Sequence, residues 1–100
     1  MSSARARGSV RWLRVVGELD SVDAPRFAAT VTPLVAPPSH VITLDLAGLW
    51  FCDAAGLRAL LHLREIGARQ QVQVVLTAAH PAVRHVLRAV GEQAWLRTSP

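Results

Sequence analysis

Cys52 is the only thiol in the chain, and it sits in the apolar stretch Leu49 to Cys52, where a cysteine behaves as a small buried hydrophobe. A nucleophilic thiol needs a base or cation beside it to lower its pKa, and the sequence gives no sign of one. A single cysteine forms no intramolecular disulfide, so a reduced, structural side chain is expected. His40, His62, His80 and His85 fall in separate segments or, for the last pair, five residues apart on one helix, which is not a metal-ligand spacing. Each is expected to be solvent-exposed, and His62 is not expected to serve as a general base. Asp20, Asp45 and Asp53 stand near the ends of apolar runs, where they could converge into an acidic site; helix caps and turns are the simpler expectation. The chain has no Gly-Lys-Ser/Thr phosphate loop, no glycine-rich dinucleotide turn and no serine elbow. These residues define no convergent catalytic set, so no enzymatic activity, metal or cofactor is expected.

The same residues hang on alternating strand and helix patterns. Val10 to Val16 places Leu13 and Val15 on one side and Val10, Trp12, Arg14 and Val16 on the other, the period of a strand, which ends at Gly17. Asp23 is expected to cap a helix that turns Ala24, Phe27, Ala28 and Val31 inward, with Pro25 tolerated in the first turn. Pro33 interrupts the stripe that Leu34 and Val35 continue, so this helix, predicted from Ala24 to Val35, should kink or end near Thr32. Beyond Pro37 and Pro38, Val41 to Leu46 reads as a second strand with Ile42, Leu44 and Leu46 on one face and Thr43 and Asp45 on the other; Ala47 and Gly48 should break it. Asp53 is a good N-cap for a helix running to about Ala68, with Leu57, Leu60 and Leu61 on one face. Val72 to Thr77 is a third strand. Pro81 then opens a helix to Val90, with Val83, Val86 and Leu87 inward and Arg84 and Arg88 outward, closed by Gly91. Trp95 and Leu96 are expected to add a short strand or a packing segment.

Strands alternating with helices imply an α/β layer fold whose sheet is at least partly parallel. The 100 residues leave room for one domain, expected over residues 9–100, behind a flexible tail over residues 1–8 that is small and polar apart from Arg5 and Arg7. No apolar run reaches the roughly 18 to 20 residues of a membrane span, and arginines follow the N-terminus where a secretory signal needs an apolar stretch. A cytoplasmic domain with no membrane insertion is expected. The formal charge is +4 and all eleven basic residues are arginine. They are scattered along the chain, which favours a solvated basic surface or an acidic protein partner over direct nucleic-acid binding.

Three ordered segments resemble the STAS domain, the module named for sulfate transporters and anti-sigma factor antagonists. Gly17-Glu18-Leu19-Asp20 is similar to the segment that closes a strand before the family's first helix. Leu44-Asp45-Leu46-Ala47-Gly48-Leu49, followed by Phe51-Cys52-Asp53-Ala54-Ala55-Gly56-Leu57, is similar to its strand, loop and Asp-Ser-Ser-Gly-Leu helix start. Pro81-Ala82-Val83-Arg84, with Leu87 and Gly91, is similar to its last helix. Together they span nearly all of the chain after the tail, and their order and spacing make the match specific.

The resemblance implies a mixed sheet of four or five strands with helices packed mainly on one face. It also implies a regulatory module that binds an anti-sigma factor or another kinase-like regulator. In such members the unphosphorylated domain binds, and phosphorylation of the serine after the aspartate ends the interaction. The partner-binding residues implied here are Asp20, Ser21, Asp53, Ala54, Ala55, Gly56, Leu57 and Arg58. Ala54 stands where the family places the phosphoacceptor and has no oxygen to phosphorylate, so the switch should not operate at this position. Two lesser departures are Gln70-Gln71, near a helix exit where glycine is common, and Glu92, where an apolar residue is usual. The resemblance also admits an accessory subunit of a membrane, lipid-type transport ATPase complex, or a nucleotide-sensing domain, although no phosphate loop supports the latter.

Overall fold

The computed structural model describes residues 2–97. Five strands, Ser2–Arg7 (β1), Val10–Leu19 (β2), Val41–Cys52 (β3), Gln73–Thr77 (β4) and Leu96–Arg97 (β5), form one sheet in the order β1-β2-β3-β4-β5. β1 is antiparallel to β2, and the remaining neighbours are parallel. Parallel neighbours require crossovers, which Ala24–Val31 (α1), Ala54–Gln70 (α2) and Pro81–Ala89 (α3) supply in chain order. Because the strand order is sequential and such crossovers are right-handed, all three helices lie on the same face of the sheet.

That face is the core. Leu13 and Val15 of β2, Ile42, Leu44 and Leu46 of β3, and Val74 and Leu76 of β4 point into it and are no more than 5% exposed. Phe27 and Val31 of α1, Leu60 and Leu63 of α2, and Val83 and Leu87 of α3 close over them. The period-two reading of β2 and the first half of β3 therefore holds, since Leu13 and Val15, read as one side of β2, and Ile42, Leu44 and Leu46, read as one face of β3, are all buried. In α2 the buried stripe continues through Leu63 while Leu61 is half-buried, so the face is rotated slightly from the predicted one. α1 ends at Val31, and Thr32–Leu34 continues as one 3-10 turn, the ending that Pro33 imposes.

Two expectations fail here for identifiable reasons. The segment expected to be a flexible tail is strand β1, with Ser2 opposite Val15 and Arg7 opposite Val10. Gly8, at φ +61°, lies in the intervening turn. Small and polar residues suit an edge strand as well as a tail, and only the pairing with β2 decides between them. The break expected at Ala47 and Gly48 is instead a bulge. Arg14 pairs with Asp45 but Val16 pairs with Gly48, and a second shift separates Gly17 opposite Leu49 from Glu18 opposite Phe51. β3 thus carries two residues more than β2, and each excess resets its alternation. Leu49 and Cys52 face the core, while Trp50 and Phe51 both face away, 54% and 41% exposed. Gly48 pairs directly with Val16 of β2, whose Cγ1 would lie 2.6 Å from a β-carbon there.

At the opposite sheet edge, β5 is short and is held by side chains. The Trp95 indole N–H donates to the Val74 carbonyl at 2.9 Å, and the Arg64 guanidinium lies 4.5 Å from the centre of the Trp95 ring. Arg64 also forks onto both carboxylate oxygens of Glu92, at 3.0 and 2.9 Å, which holds Glu92 below its usual range. The charge at position 92 is thereby answered by an arginine on α2.

Candidate functional site

Parallel strands end at the same edge, so β2 and β3 deliver Leu19-Asp20 and Cys52-Asp53 side by side. The Asp53 N–H donates to the Leu19 carbonyl at 3.3 Å and ties the two exits together. Helices α1 and α2 both start from this edge, and an aspartate caps each one.

Asp20 Oδ1 accepts the backbone N–H groups of Val22 and Asp23 at 3.0 and 2.9 Å, and the Asp20 carbonyl accepts that of Ala24 at 2.8 Å. Asp23, expected to cap α1, makes no side-chain cap bond. Helical hydrogen bonding already begins with the Ala24 N–H, so the residue that precedes the first turn is Asp20, three positions upstream. Asp53 is extended, at φ −99° and ψ −171°, and its Oδ1 accepts the Gly56 N–H at 2.9 Å. Its carbonyl accepts the Leu57 N–H at 2.9 Å. This is the N-cap expected of it.

Gly56 explains how closely the two exits are joined. A β-carbon there would run into the Leu19 carbonyl oxygen and reach 3.0 Å from Cys52 Sγ, so α2 packs its first turn directly on the end of β2. Ser21, which follows Asp20, and Ala54 and Arg58, one turn apart at the start of α2, are all exposed. Asp20, Asp53 and Ala55 are half-buried behind them, and Gly56 and Leu57 are buried. The exposed part of the expected site, its rim, is Ser21, Ala54 and Arg58.

Asp45 does not join this group. It lies within β3 opposite Arg14, 4.0 Å from its guanidinium, and its Oδ1 accepts the Ala47 N–H at 3.0 Å. Cys52 is 6% exposed, and burial, with Asp53 adding, pushes its thiol up to about 11. It is protonated at neutral pH and is no nucleophile there. His40, His62 and His85 are exposed, but His80 is half-buried and caps α3: its Nδ1 accepts the Ala82 N–H at 3.1 Å. The residue before a helix-opening proline is well placed for that task, which the reading of His80 as merely exposed overlooked. Among the described residues, no group of three or more His, Cys, Asp or Glu is placed to hold a metal ion, and no helix is long and apolar enough to cross a membrane.

The exposed pair Trp50 and Phe51, immediately before the site, was not foreseen. Its signal is the run of four apolar residues from Leu49 to Cys52, because a strand buried on one face hides only every second one.

The family model for the STAS domain matches residues 2–100. The fold is similar to that of the anti-sigma factor antagonist SpoIIAA in its unphosphorylated form, with a TM-score of 0.84 and 19% identity over 100% of this chain and 89% of that one. An anti-sigma factor antagonist from Mycobacterium paratuberculosis gives a TM-score of 0.84 and 23% identity over 100% and 85%. A murine anion transporter of solute carrier family 26 gives a TM-score of 0.80 and 19% identity, covering 96% of this chain and 17% of the transporter. No curated protein matches the chain in sequence.

Proposed function

The chain belongs to the STAS domain family, and we propose that it is a regulatory protein-binding module of the anti-sigma factor antagonist kind that lacks the phosphorylation switch at the start of α2. The observation that carries this reading is the placement of Ala54. It is exposed, it is the first residue of α2, and it follows an aspartate that caps the helix. A phosphate at this point would meet the free amides of a helix N-terminus, yet it would stand next to the Asp53 carboxylate. Alanine removes the acceptor oxygen while keeping the best helix propensity. The rim of Ser21, Ala54 and Arg58 then stays permanently in the state that binds.

On this reading the partner is an anti-sigma factor or a kinase-like regulator, met in the cytoplasm through the rim. Likeness to the fold of part of an anion transporter supports a second reading, a module that serves a membrane transporter, for which the accessory subunit of a lipid-type transport ATPase is the candidate. Titration of the purified chain with candidate anti-sigma kinases and with candidate transporter ATPases separates the two. Saturable binding to the first that Arg58→Glu weakens supports the proposal. Binding to the ATPase alone, or binding indifferent to changes at positions 21, 54 and 58, refutes it.

A further inference from the structure

Six large apolar side chains are exposed among the described residues, and four of them share one surface: Trp12 and Val16 of β2 and Trp50 and Phe51 of β3. This is the sheet face opposite the helices. β1 pairs with β2 only from Val10 to Val15, and β4 with β3 only from Val41 to Asp45. Trp12 therefore stands in the flanked part of the face, and Val16, Trp50 and Phe51 stand on the two-stranded continuation of β2 and β3. The second bulge widens this apolar strip by turning Trp50 and Phe51 outward together. Exposed apolar residues gathered on one face mark an interaction site, whereas singly scattered ones do not.

The charges within the strip indicate what covers it. Arg14 and Asp45 stand opposite each other in register, 4.0 Å apart, with side chains 67% and 34% exposed. So loose and wet a pair gains little from itself, and Asp45 Oδ2, unlike the Oδ1 that accepts the Ala47 N–H, is free to change partners. Glu18, opposite Phe51, and Arg97, opposite Thr77, share the face, so its described charges on β2 to β5 balance although the chain carries +4. β1, at the edge of the sheet, pairs Arg5 with Trp12 and Arg7 with Val10. A balanced pair inside an apolar strip suits neither a polyanion nor a strongly acidic protein. It suits a copy of itself, since a two-fold axis through the strip brings Arg14 of one copy to Asp45 of the other and repeats the contact.

We propose that this open face is the interface of a two-fold homodimer, packed sheet on sheet. This face adjoins the partner-binding rim, since Trp50 and Phe51 precede Asp53, but the proposal is tested by self-association alone, so its failure would leave that reading intact.

Sedimentation velocity from about 1 to about 500 µM should show a monomer passing to a dimer. Trp12→Ser and Trp50→Ser should each raise the dissociation constant by about tenfold or more, as loss of a central aromatic does. Arg14→Asp and Asp45→Arg should each weaken self-association to a similar degree. An equimolar mixture of those two variants should restore it to within about threefold of wild type, because each then supplies the charge that the other lacks. The exchanged side chains are exposed, and circular dichroism checks that each variant is folded. A wild type that stays monomeric throughout overturns the proposal. So does a dimer indifferent to both tryptophans, or a mixture no tighter than its components.

Discussion

Helix α2 meets a strand at both ends, by Asp53 and Gly56 at its start and by Gly67 and Gln71 at its finish. At the start, every local choice agrees with the fold: an extended aspartate accepts the Gly56 N–H, and Gly56 lets the helix sit on the Leu19 carbonyl. At the finish, the N–H groups of Gln71 and Val72 both return to the Gly67 carbonyl, and a β-carbon on Gly67 would run into the Val72 carbonyl oxygen. Yet the residue in the left-handed position, at φ +60°, is Gln71, where a side chain costs about 1 kcal/mol relative to glycine. The end that presents the rim is free of conflict, and the end that only turns the chain tolerates one. Placement of Ala54 and Arg58 is thus fixed at one end of the helix.

The largest expected effect that tests this difference is Gly56→Ala, which should destabilise by about 3 kcal/mol or more because two strand exits must part to admit the methyl group. Gly67→Ala should cost only about 1 to 2 kcal/mol, since the obstructing carbonyl lies on a turn and alanine regains helix propensity. Urea midpoints of the two variants measure both, and equal losses would show that the two ends are held alike. Next in size is the thiol beneath Gly56. Burial raises the Cys52 pKa from 9.0 to about 11, so the folded state holds its proton longer than the unfolded chain does. Its contribution is fully present below pH 9 and is lost as pH rises to 11, on the order of 2 kcal/mol. Stability of the wild type should therefore fall more steeply over that window than that of Cys52→Ala, and parallel slopes would mean that the thiol is not held neutral.

Asp53→Ala should cost about 0.5 to 2 kcal/mol, the usual loss for a missing N-cap, and an unmoved thermal midpoint would reject the cap. The smallest change has the opposite sign. Gln71→Gly should stabilise by about 0.5 to 1 kcal/mol by relieving the left-handed side chain, and a loss would mean that the glutamine contributes something the backbone does not reveal.

The elements most legible in the sequence are those whose signals are local. Alternation in β2, the Asp53 cap and the stop at Pro33 each depend on residues within one turn or one pleat of one another. β1 was illegible because small polar residues become a strand only through pairing with β2. The continuation of β3 past Gly48 was hidden for a related reason: a bulge is a relation between two strands, and Ala-Gly by itself reads as a break. For α1, Asp23 is the cap that the sequence suggests, and only the Ala24 N–H bonding to the Asp20 carbonyl moves the role to Asp20. At the site, Asp20 and Asp53 were identifiable as individual residues, whereas their joining through Leu19 and Gly56 depends on strand order. Similarly, the exposure of Trp50 and Phe51 follows from a register shift that their own sequence does not encode.

The central claim is that this STAS domain keeps its binding surface without a phosphoacceptor at the start of α2. Intact-mass spectrometry after incubation with an anti-sigma serine kinase and ATP, followed by titration of each product against that kinase, tests it most directly. Wild type should gain no phosphate and keep its affinity. Ala54→Ser should gain one and then bind more than about a hundredfold more weakly, the equivalent of 3 kcal/mol. Efficient phosphorylation of the wild type at Ser21 with loss of binding, or undiminished binding by phosphorylated Ala54→Ser, would contradict the account.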